Sequence, residues 1–436
     1  MNSKIPKVLH RVCGREMVSL VVDAARGAGF DATVVVVPPD ASSIRTALGN
    51  GVSYAVQPEP LGSGHALLQA RELLHGVDNV AVLHGDVPLI RPETLASIMR
   101  RHQDSRACIT LLSATPRAPG DLGRVVRDAS GRITAIVEFS QAGEEARSIA
   151  EVNGGIYCFS SSWLWPHLEG LGPSPRGEVF LTDLVALASQ QGMVIESIQA
   201  HQPQEILGVN TRVHLAEAEA VLRQSLRERW MLFGVTLPDP GSVYIDYDVD
   251  LGRDTVLLPN THISGASRIG RDCQIGPNTT ISGSEIGDGC RITASVIESS
   301  TLEGGVDVGP FSHIRPGSHL ESGVHIGNFA EVKQSRLGRG TKSGHFSFIG
   351  DADVGANVNI GAGTVTCNYD GTNKHRTRIE DDVFIGSDSM LVAPVTIGAR
   401  SSTGAGSVVN RDVPPDSLAI GAPARVRAKK RSNNNN

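Results

Sequence analysis

A six-residue beat runs through the C-terminal part of the chain. Ile263, Ile269, Ile275 and Ile281 fall six apart, then the beat slips by one to Ile286 and resumes at Ile292. It returns at Val308, Ile314, Leu320, Ile326 and Val332, then at Val354, Ile360 and Thr366. A last run takes in Ile379, Ile385, Leu391, Ile397, Thr403 and Val409. A fixed short period means stacked repeats. Three hexads can form one triangular coil, so residues 251–420 predict a parallel β-helix of about nine coils. The inward Ile, Val and Leu fill the prism, while small residues and glycine let the chain turn its corners.

The beat is interrupted at 333–348 (KQSRLGRGTKSGHFSF) and again at 367–378 (CNYDGTNKHRTR). An insertion must leave the prism as a loop, and loops on a rigid scaffold are where sites are built. The first interruption carries Lys333, Arg336, Lys342 and His345. The second carries Asn368, Tyr369, Asp370, Lys374, His375 and Arg376, and Arg315 lies just upstream. Cations suit an anionic group, amides and a phenol suit hydroxyls, and a histidine can take a proton near neutral pH. A solvated loop with ordinary polar content is the plainer alternative.

Before residue 211 the pattern changes. Apolar runs at 32–37, 80–83, 108–112, 133–137 and 155–159 alternate with helical patterns such as 17–28 and 92–102. That predicts an α/β domain with a largely parallel sheet. Residues 212–233 read as a linker helix, leaving 1–211 and 234–436 as the two domains; the tail RVRAKKRSNNNN is expected to be disordered at its tip. A net charge of −6 provides no general basic field for nucleic acid. No apolar run is long enough for membrane insertion. The N-terminal stretch lacks the apolar core of a secretory signal. Six cysteines without CxxC spacing argue against zinc or a disulfide framework and predict a cytoplasmic protein.

The stretches RPGSHLESGVHIGNFAEVKQSRLGRGTKSGH, GDADVGANVNIGAGTVTCNYDGTNKH and DDVFIGSDSMLVAPVTIG closely resemble one family. In the first half PKVLH, QPEPLGSGHA, VLHGDVPLI and GVNTR follow the same pattern, as does YIDYDVDLGRDT at the junction. The chain resembles the bacterial bifunctional N-acetylglucosamine-1-phosphate uridyltransferase and glucosamine-1-phosphate acetyltransferase. The resemblance implies a Rossmann-like nucleotidyltransferase domain and a left-handed β-helix that forms a homotrimer, with acetyl-CoA between neighbouring prisms.

For acetyl transfer the resemblance makes His345 the catalytic base, with Glu331 placed to orient it. Arg315, Lys333, Phe348, Asn359 and Lys374 match positions that hold glucosamine 1-phosphate. Ala362, Asn368, Tyr369, Ser387, Ala405 and Arg425 match acetyl-CoA positions. For uridylyl transfer from UTP to N-acetylglucosamine 1-phosphate, Asp86 and Asn210 match the positions that bind Mg²⁺. Oxygen ligands from one carboxylate and one amide suit that ion, which keeps its remaining waters and phosphates. Lys7 matches a phosphate lysine. Gln57, Gly62 and Ser63 match uracil-side contacts, and Gly123, Glu138 and Asn153 match sugar contacts. His84 and Gly85 precede Asp86 in the same nucleotide-binding motif.

Several positions depart from the family pattern. Phe348 and His84 stand where tyrosine is usual, Ser140-Gln141 where Lys-Asp is usual, and Gly154 where threonine follows the asparagine. The family opens with a β-strand and a glycine-rich loop, LAAGxGTRM, and Met1 falls on that motif's last residue. The expectation is thus a first domain lacking its first strand, through a late-assigned start or a true truncation. Three alternatives to a bifunctional enzyme stand beside it: an acetyltransferase with a defective first domain, a non-catalytic trimeric scaffold, and a sugar-nucleotide pyrophosphorylase with a structural β-helix.

Overall fold

The computed structural model describes residues 1–172 and 178–428; the polar tail lies outside them. The chain divides into two compact units, Met1–Leu222 and Arg223–Asn436. The division falls inside the single helix Arg212–Phe233.

The first unit is an α/β body. Helix Met17–Gly27 buries Met17, Val18, Leu20, Val21, Ala24 and Ala25. Helix Pro92–Ser105 starts on a proline, whose missing N–H is one that no helix partner needs, and stops at Arg106 in the left-handed conformation. The two helices pack on each other, and Pro92–Ser105 covers a six-stranded sheet whose strand Ile109–Ala114 is buried at every position. Each of the five expected apolar runs forms a strand, at Val34–Val37, Asn79–Val82, Ile109–Ala114, Ile133–Val137 and Val152–Ser160.

The sheet is not largely parallel. Ile195–Gln199 runs parallel to Ile109–Ala114, but Val152–Ser160 is antiparallel to both Asn79–Val82 and Ile109–Ala114. The reason is the connection. Val152–Ser160 is reached through the antiparallel pair Arg124–Arg127 and Ile133–Val137, and not through a crossover helix, which a parallel return requires. Val34–Val37 pairs only with Ser53–Val56, in a separate parallel ribbon. Among the described residues, Val34–Val37 and Asn79–Val82 therefore each keep one edge outside any ladder.

The second unit is a hexapeptide-repeat β-helix with three parallel faces. Taken in chain order, the first face runs from Tyr244–Ile245 to Val408–Val409, the second from Asp250–Leu251 to Val395–Ile397, and the third from Val256–Leu257 to Ser417–Ile420. Most strands are two residues long, one pointing out and one in. Every inward position of the beat is buried, from Ile263 at 1% exposure to Val409 at 1%, including Thr366 and Thr403. Nine coils prove slightly few, since the first face alone has ten strands.

At the corners small polar residues form ladders between coils. Thr255 donates its hydroxyl to Gly270 O at 2.8 Å and accepts the N–H of Cys273 at 3.1 Å. Ser312 does the same with Gly327 O and Ala330 N, and Thr341 with Gly355 O and Val358 N. These bonds satisfy backbone groups that the turning chain leaves outside the ladders. Gly327 shows why no side chain fits at such a corner: a Cβ there would lie 1.9 Å from Gly344 O on the next coil.

One of the two interruptions is not an interruption. Residues 333–348 continue the three faces through Arg336–Leu337, Lys342–Ser343 and Ser347–Gly350. Leu337, Ser343 and Ile349 point inward, each fully buried. The beat was hidden by a five-residue step and by a serine in the place of Ile326 below it and Ile360 above it. The second interruption is real: strands Val365–Cys367 and Thr377–Ile379 are separated by the excursion 368–376.

Candidate active sites

In the first unit a cleft of about 300 Å³ is lined by Ser63, His84, Asp86, Gly123, Glu138 and Asn153, all named from the sequence. Asp121, Tyr157, Phe180 and Thr182 also line it and were missed. They support the named residues. Asn153 donates its amide to Tyr157 OH at 2.6 Å, and Thr182 donates its hydroxyl to Glu138 at 3.1 Å. Only the alternation of the strand Val152–Ser160 hinted that Tyr157 would share the face of Asn153.

Asp86 and Asn210 are far apart in sequence. They meet because Val209 N donates to Asp86 O at 2.9 Å. Lys7 then joins both side chains, donating to Asp86 Oδ2 at 2.5 Å and Asn210 Oδ1 at 2.9 Å. Two oxygens thus converge on one cation, here an ammonium. Among the described residues no cluster of three or more His, Cys, Asp or Glu could hold a metal ion. A cation here would rely on two protein oxygens and take its remaining ligands from water or phosphate.

Burial lowers the pKa of His84 and outweighs the upward pull of Asp86. It packs on Gly155, where a Cβ would lie 2.9 Å from His84 Cδ2. Gly154 has no space for the threonine of the family pattern, since a Cβ would come within 2.7 Å of Ile206 Cγ2. Gln57 donates to Gly62 O at 3.2 Å and contacts His65. Gly62 has φ +99° and lies against Val179, while Ser63 Oγ accepts the N–H of Leu181 at 3.2 Å. Gln57, Gly62 and Gly85 are outside the lining of the cleft, beside residues that form it.

In the second unit the named residues fall into two columns. Along the edge between the third and first faces, the register Lys342↔Asn359↔Phe384↔Ser402 carries on to align His345, Ala362, Ser387 and Ala405 on successive coils. Backbone bonds hold this column: Gly363 N to Phe346 O at 2.7 Å, Asp388 N to Ala362 O at 2.6 Å and Gly406 N to Ser387 O at 2.8 Å. The His345 side chain is exposed.

The edge between the first and second faces carries the cations. Register places Arg315, Lys333, Gly350 and Cys367 one above another. Lys374 comes back from the excursion to meet Lys333. Its ammonium, first through a hydrogen bond and then through repulsion, lowers the Lys333 pKa, and Arg315 adds to this. Asn368 and Tyr369 open the excursion at the same edge. Phe348 lies on the first face, half-buried, with its ring folded over Gly350: a Cβ on that glycine would lie 2.5 Å from Phe348 Cζ and 3.0 Å from Asn368 Nδ2. Asn359 points out from the third face, and Arg425 is exposed on a strand that pairs antiparallel with Ser417–Ile420.

Glu331 makes no hydrogen bond to His345 in this structure. Its carboxylate accepts from Arg315 Nη1 at 2.7 Å. Glu331 pairs in register with Phe348, in the middle of the first face, whereas His345 stands at the corner before that face. At about 3.3 Å per residue, the five residues from His345 to Gly350 separate the two columns by roughly 16 Å.

A family model described as nucleotidyl transferase matches residues 2–219, and one described as bacterial transferase hexapeptide matches residues 266–297 and 376–411. Proteins named bifunctional protein GlmU are similar along almost the whole chain. That of Heliobacterium modesticaldum is 45% identical over 422 residues, 96% of this chain and 92% of the relative. That of Pelobacter propionicus is 45% identical, covering 98% of this chain and 94% of the relative. That of Halalkalibacterium halodurans is 43% identical with the same coverage. With a cleft built on a nucleotidyltransferase half and two polar columns built on a hexapeptide-repeat half, the chain belongs to the family of bifunctional GlmU proteins.

Proposed function

We propose that the chain makes UDP-N-acetylglucosamine in two steps. In the first, the amine of glucosamine 1-phosphate attacks the thioester carbonyl of acetyl-CoA, and the coenzyme A thiol leaves. In the second, a phosphate oxygen of N-acetylglucosamine 1-phosphate attacks the α-phosphorus of UTP, and pyrophosphate leaves.

The reading of the first step is carried by the two columns. Arg315, Lys333 and Lys374 offer three cations at one edge to a sugar phosphate. His345, exposed at the other edge, offers an imidazole nitrogen to take the amine's proton, without which an ammonium cannot attack. The two columns flank the first face, so long cationic side chains from one edge and the imidazole from the other would meet a sugar phosphate lying across it, and a homotrimer with acetyl-CoA between prisms would close that face. Ala362, Ser387 and Ala405 continue in register from His345 as a row of small residues for the coenzyme, and Arg425 is an exposed cation for its phosphates.

For the second step Asp86 and Asn210 would hold Mg²⁺, and Lys7 would turn to the phosphates. When bound, the ion supplies neutralisation of triphosphate and pyrophosphate charge. Glu138, Asn153 and Gly123 bind the sugar, while Ser63, Gly62 and Gln57 frame the base. Six cysteines outside any disulfide, five of them buried, favour a cytoplasmic setting.

Two assays test the proposal: thiol release from acetyl-CoA with glucosamine 1-phosphate, and pyrophosphate release from UTP with N-acetylglucosamine 1-phosphate. His345→Ala should abolish only the first and Asp86→Ala only the second. A His345→Ala protein with normal thiol release would sink the assignment. One observation favours a second reading, acetyl transfer alone: the first unit's sheet is split, with two strands holding open edges beside the cleft's elements. Thiol release without pyrophosphate release would establish that reading.

A further inference from the structure

Asp351 lies where the cation column meets the excursion. It is 8% exposed and adopts a left-handed backbone, φ 50°. Its N–H donates to Lys333 O at 3.0 Å, and its carbonyl accepts from Thr377 N at 3.1 Å. Its backbone is thus bound both to the coil that carries Lys333 and to the strand that follows the excursion. Its carboxylate accepts the Asn368 side-chain amide at 2.5 Å.

The excursion's other bonds are mostly internal. His375 N donates to Asn368 O, His375 Nε2 meets Asp370 Oδ2 at 2.6 Å, and Tyr369 OH donates to Gly371 O at 2.6 Å. These shape the loop without fixing it to the prism. Besides the Asn368–Asp351 bond, a side-chain link to the prism runs from Arg376 Nη2 to Ala352 O at 3.4 Å. A buried carboxylate bond to an amide is the stronger kind, being charge-assisted. The same negative charge faces the Lys333 ammonium and opposes the repulsion from Lys374 and Arg315.

We infer that Asp351 is a positioning residue that couples the two substrate subsites: it pins Asn368 and Tyr369 for acetyl-CoA and tempers the positive charge that receives glucosamine 1-phosphate. This rests on the proposed assignment of those subsites.

Two substitutions separate its roles. Asp351→Ala removes both acceptor and charge. Asp351→Asn keeps an acceptor oxygen and tolerates the left-handed backbone, but removes the charge. In the thiol-release assay Asp351→Ala should raise the acetyl-CoA KM about tenfold, the size of one lost charge-assisted bond, with kcat changed less than about threefold. Asp351→Asn, which keeps a neutral hydrogen bond, should recover about half of that loss and leave the acetyl-CoA KM about threefold above the parent value, while lowering the glucosamine 1-phosphate KM by about two- to threefold, because the cations are then less neutralised. A purely structural role would lower melting temperature and kcat together and leave both KM values in place, which would overturn the inference. Should Asp351→Ala fail to fold, Asp351→Asn with both KM values unchanged would overturn it equally. Asn368→Ala distinguishes the levels. If it leaves the acetyl-CoA KM unchanged, the subsite assignment fails; if it raises that KM while Asp351→Ala does not, only the coupling fails.

Discussion

Replacing Phe348 by tyrosine adds one hydroxyl at a defined place. The ring is half-buried on the first face, between Glu331 and Val365 in register, and its Cζ hangs over Gly350 beside the Asn368 amide. Gly350 is the register partner of Lys333. The new oxygen would extend the ring from Cζ, on the side of Gly350 and the Asn368 amide, towards the cation column. A hydrogen bond to a charged partner contributes roughly 1.5–3 kcal/mol. The half-exposed position argues for the lower end. About 1.5 kcal/mol corresponds to roughly a tenfold tighter hold on glucosamine 1-phosphate. The assay is thiol release with varied glucosamine 1-phosphate at saturating acetyl-CoA, backed by calorimetric titration of the sugar phosphate. Phe348→Tyr should lower KM and Kd for the sugar phosphate, leave the acetyl-CoA KM in place and change kcat little. Affinity unchanged or weakened would refute the view that Phe348 faces the phosphate subsite.

Two further outcomes concern stability. Ser343 points into the prism fully buried, and its hydroxyl has no partner among the described residues. Ser343→Ala should therefore stabilise the second unit by about 1 kcal/mol in urea unfolding, since a buried unsatisfied hydroxyl costs roughly that much; a lower midpoint would count against it. His102 is buried between helix and sheet, with Nδ1 at 3.0 Å from Thr110 Oγ1, Nε2 unpartnered and its pKa lowered by burial from 6.5. The unfolded chain therefore binds a proton more readily than the folded one. Its contribution is fully present above about pH 6.5, the unfolded value, and is lost as pH falls from there through the lower folded-state pKa. His102→Gln, which keeps a side-chain partner for Thr110, should flatten the fall in the first unit's melting temperature between pH 7.5 and 5.5, values chosen about one unit either side of the free histidine pKa. An unaltered slope would assign the acid sensitivity elsewhere.

The repeat half was legible because its period is short and its chemistry redundant. An inward position on a three-sided prism faces only other inward positions, so apolar residues every five or six places can be read without knowing contacts. That reading fails where Ser343 takes an inward place and a step shortens to five, which makes residues 333–348 resemble a loop in sequence. The excursion at 368–376 was legible because Ile379 lies thirteen positions beyond Thr366, one more than two hexads can use. In the first half the strands were legible but their directions were not, because direction depends on how Val152–Ser160 is reached.

The sequence by itself determined the prism, most of its inward residues, the place of the excursion at 368–376 and, through long ordered motifs, the family. Those properties are set by neighbours along the chain, or by a period that repeats whatever lies beside it. Only the tertiary structure decided which polar residues meet. Asp86 and Asn210 share one ammonium because a single backbone bond, from Val209 to Asp86, brings together segments more than a hundred residues apart in sequence. Glu331 turned to Arg315 and not to His345 because register put it mid-face. Asp351, with no motif to mark it, became the anchor of the excursion because the coil above delivers Asn368 onto its carboxylate. Pairings of this kind depend on register and stacking across coils, and one strand shifted by a residue would change each of them.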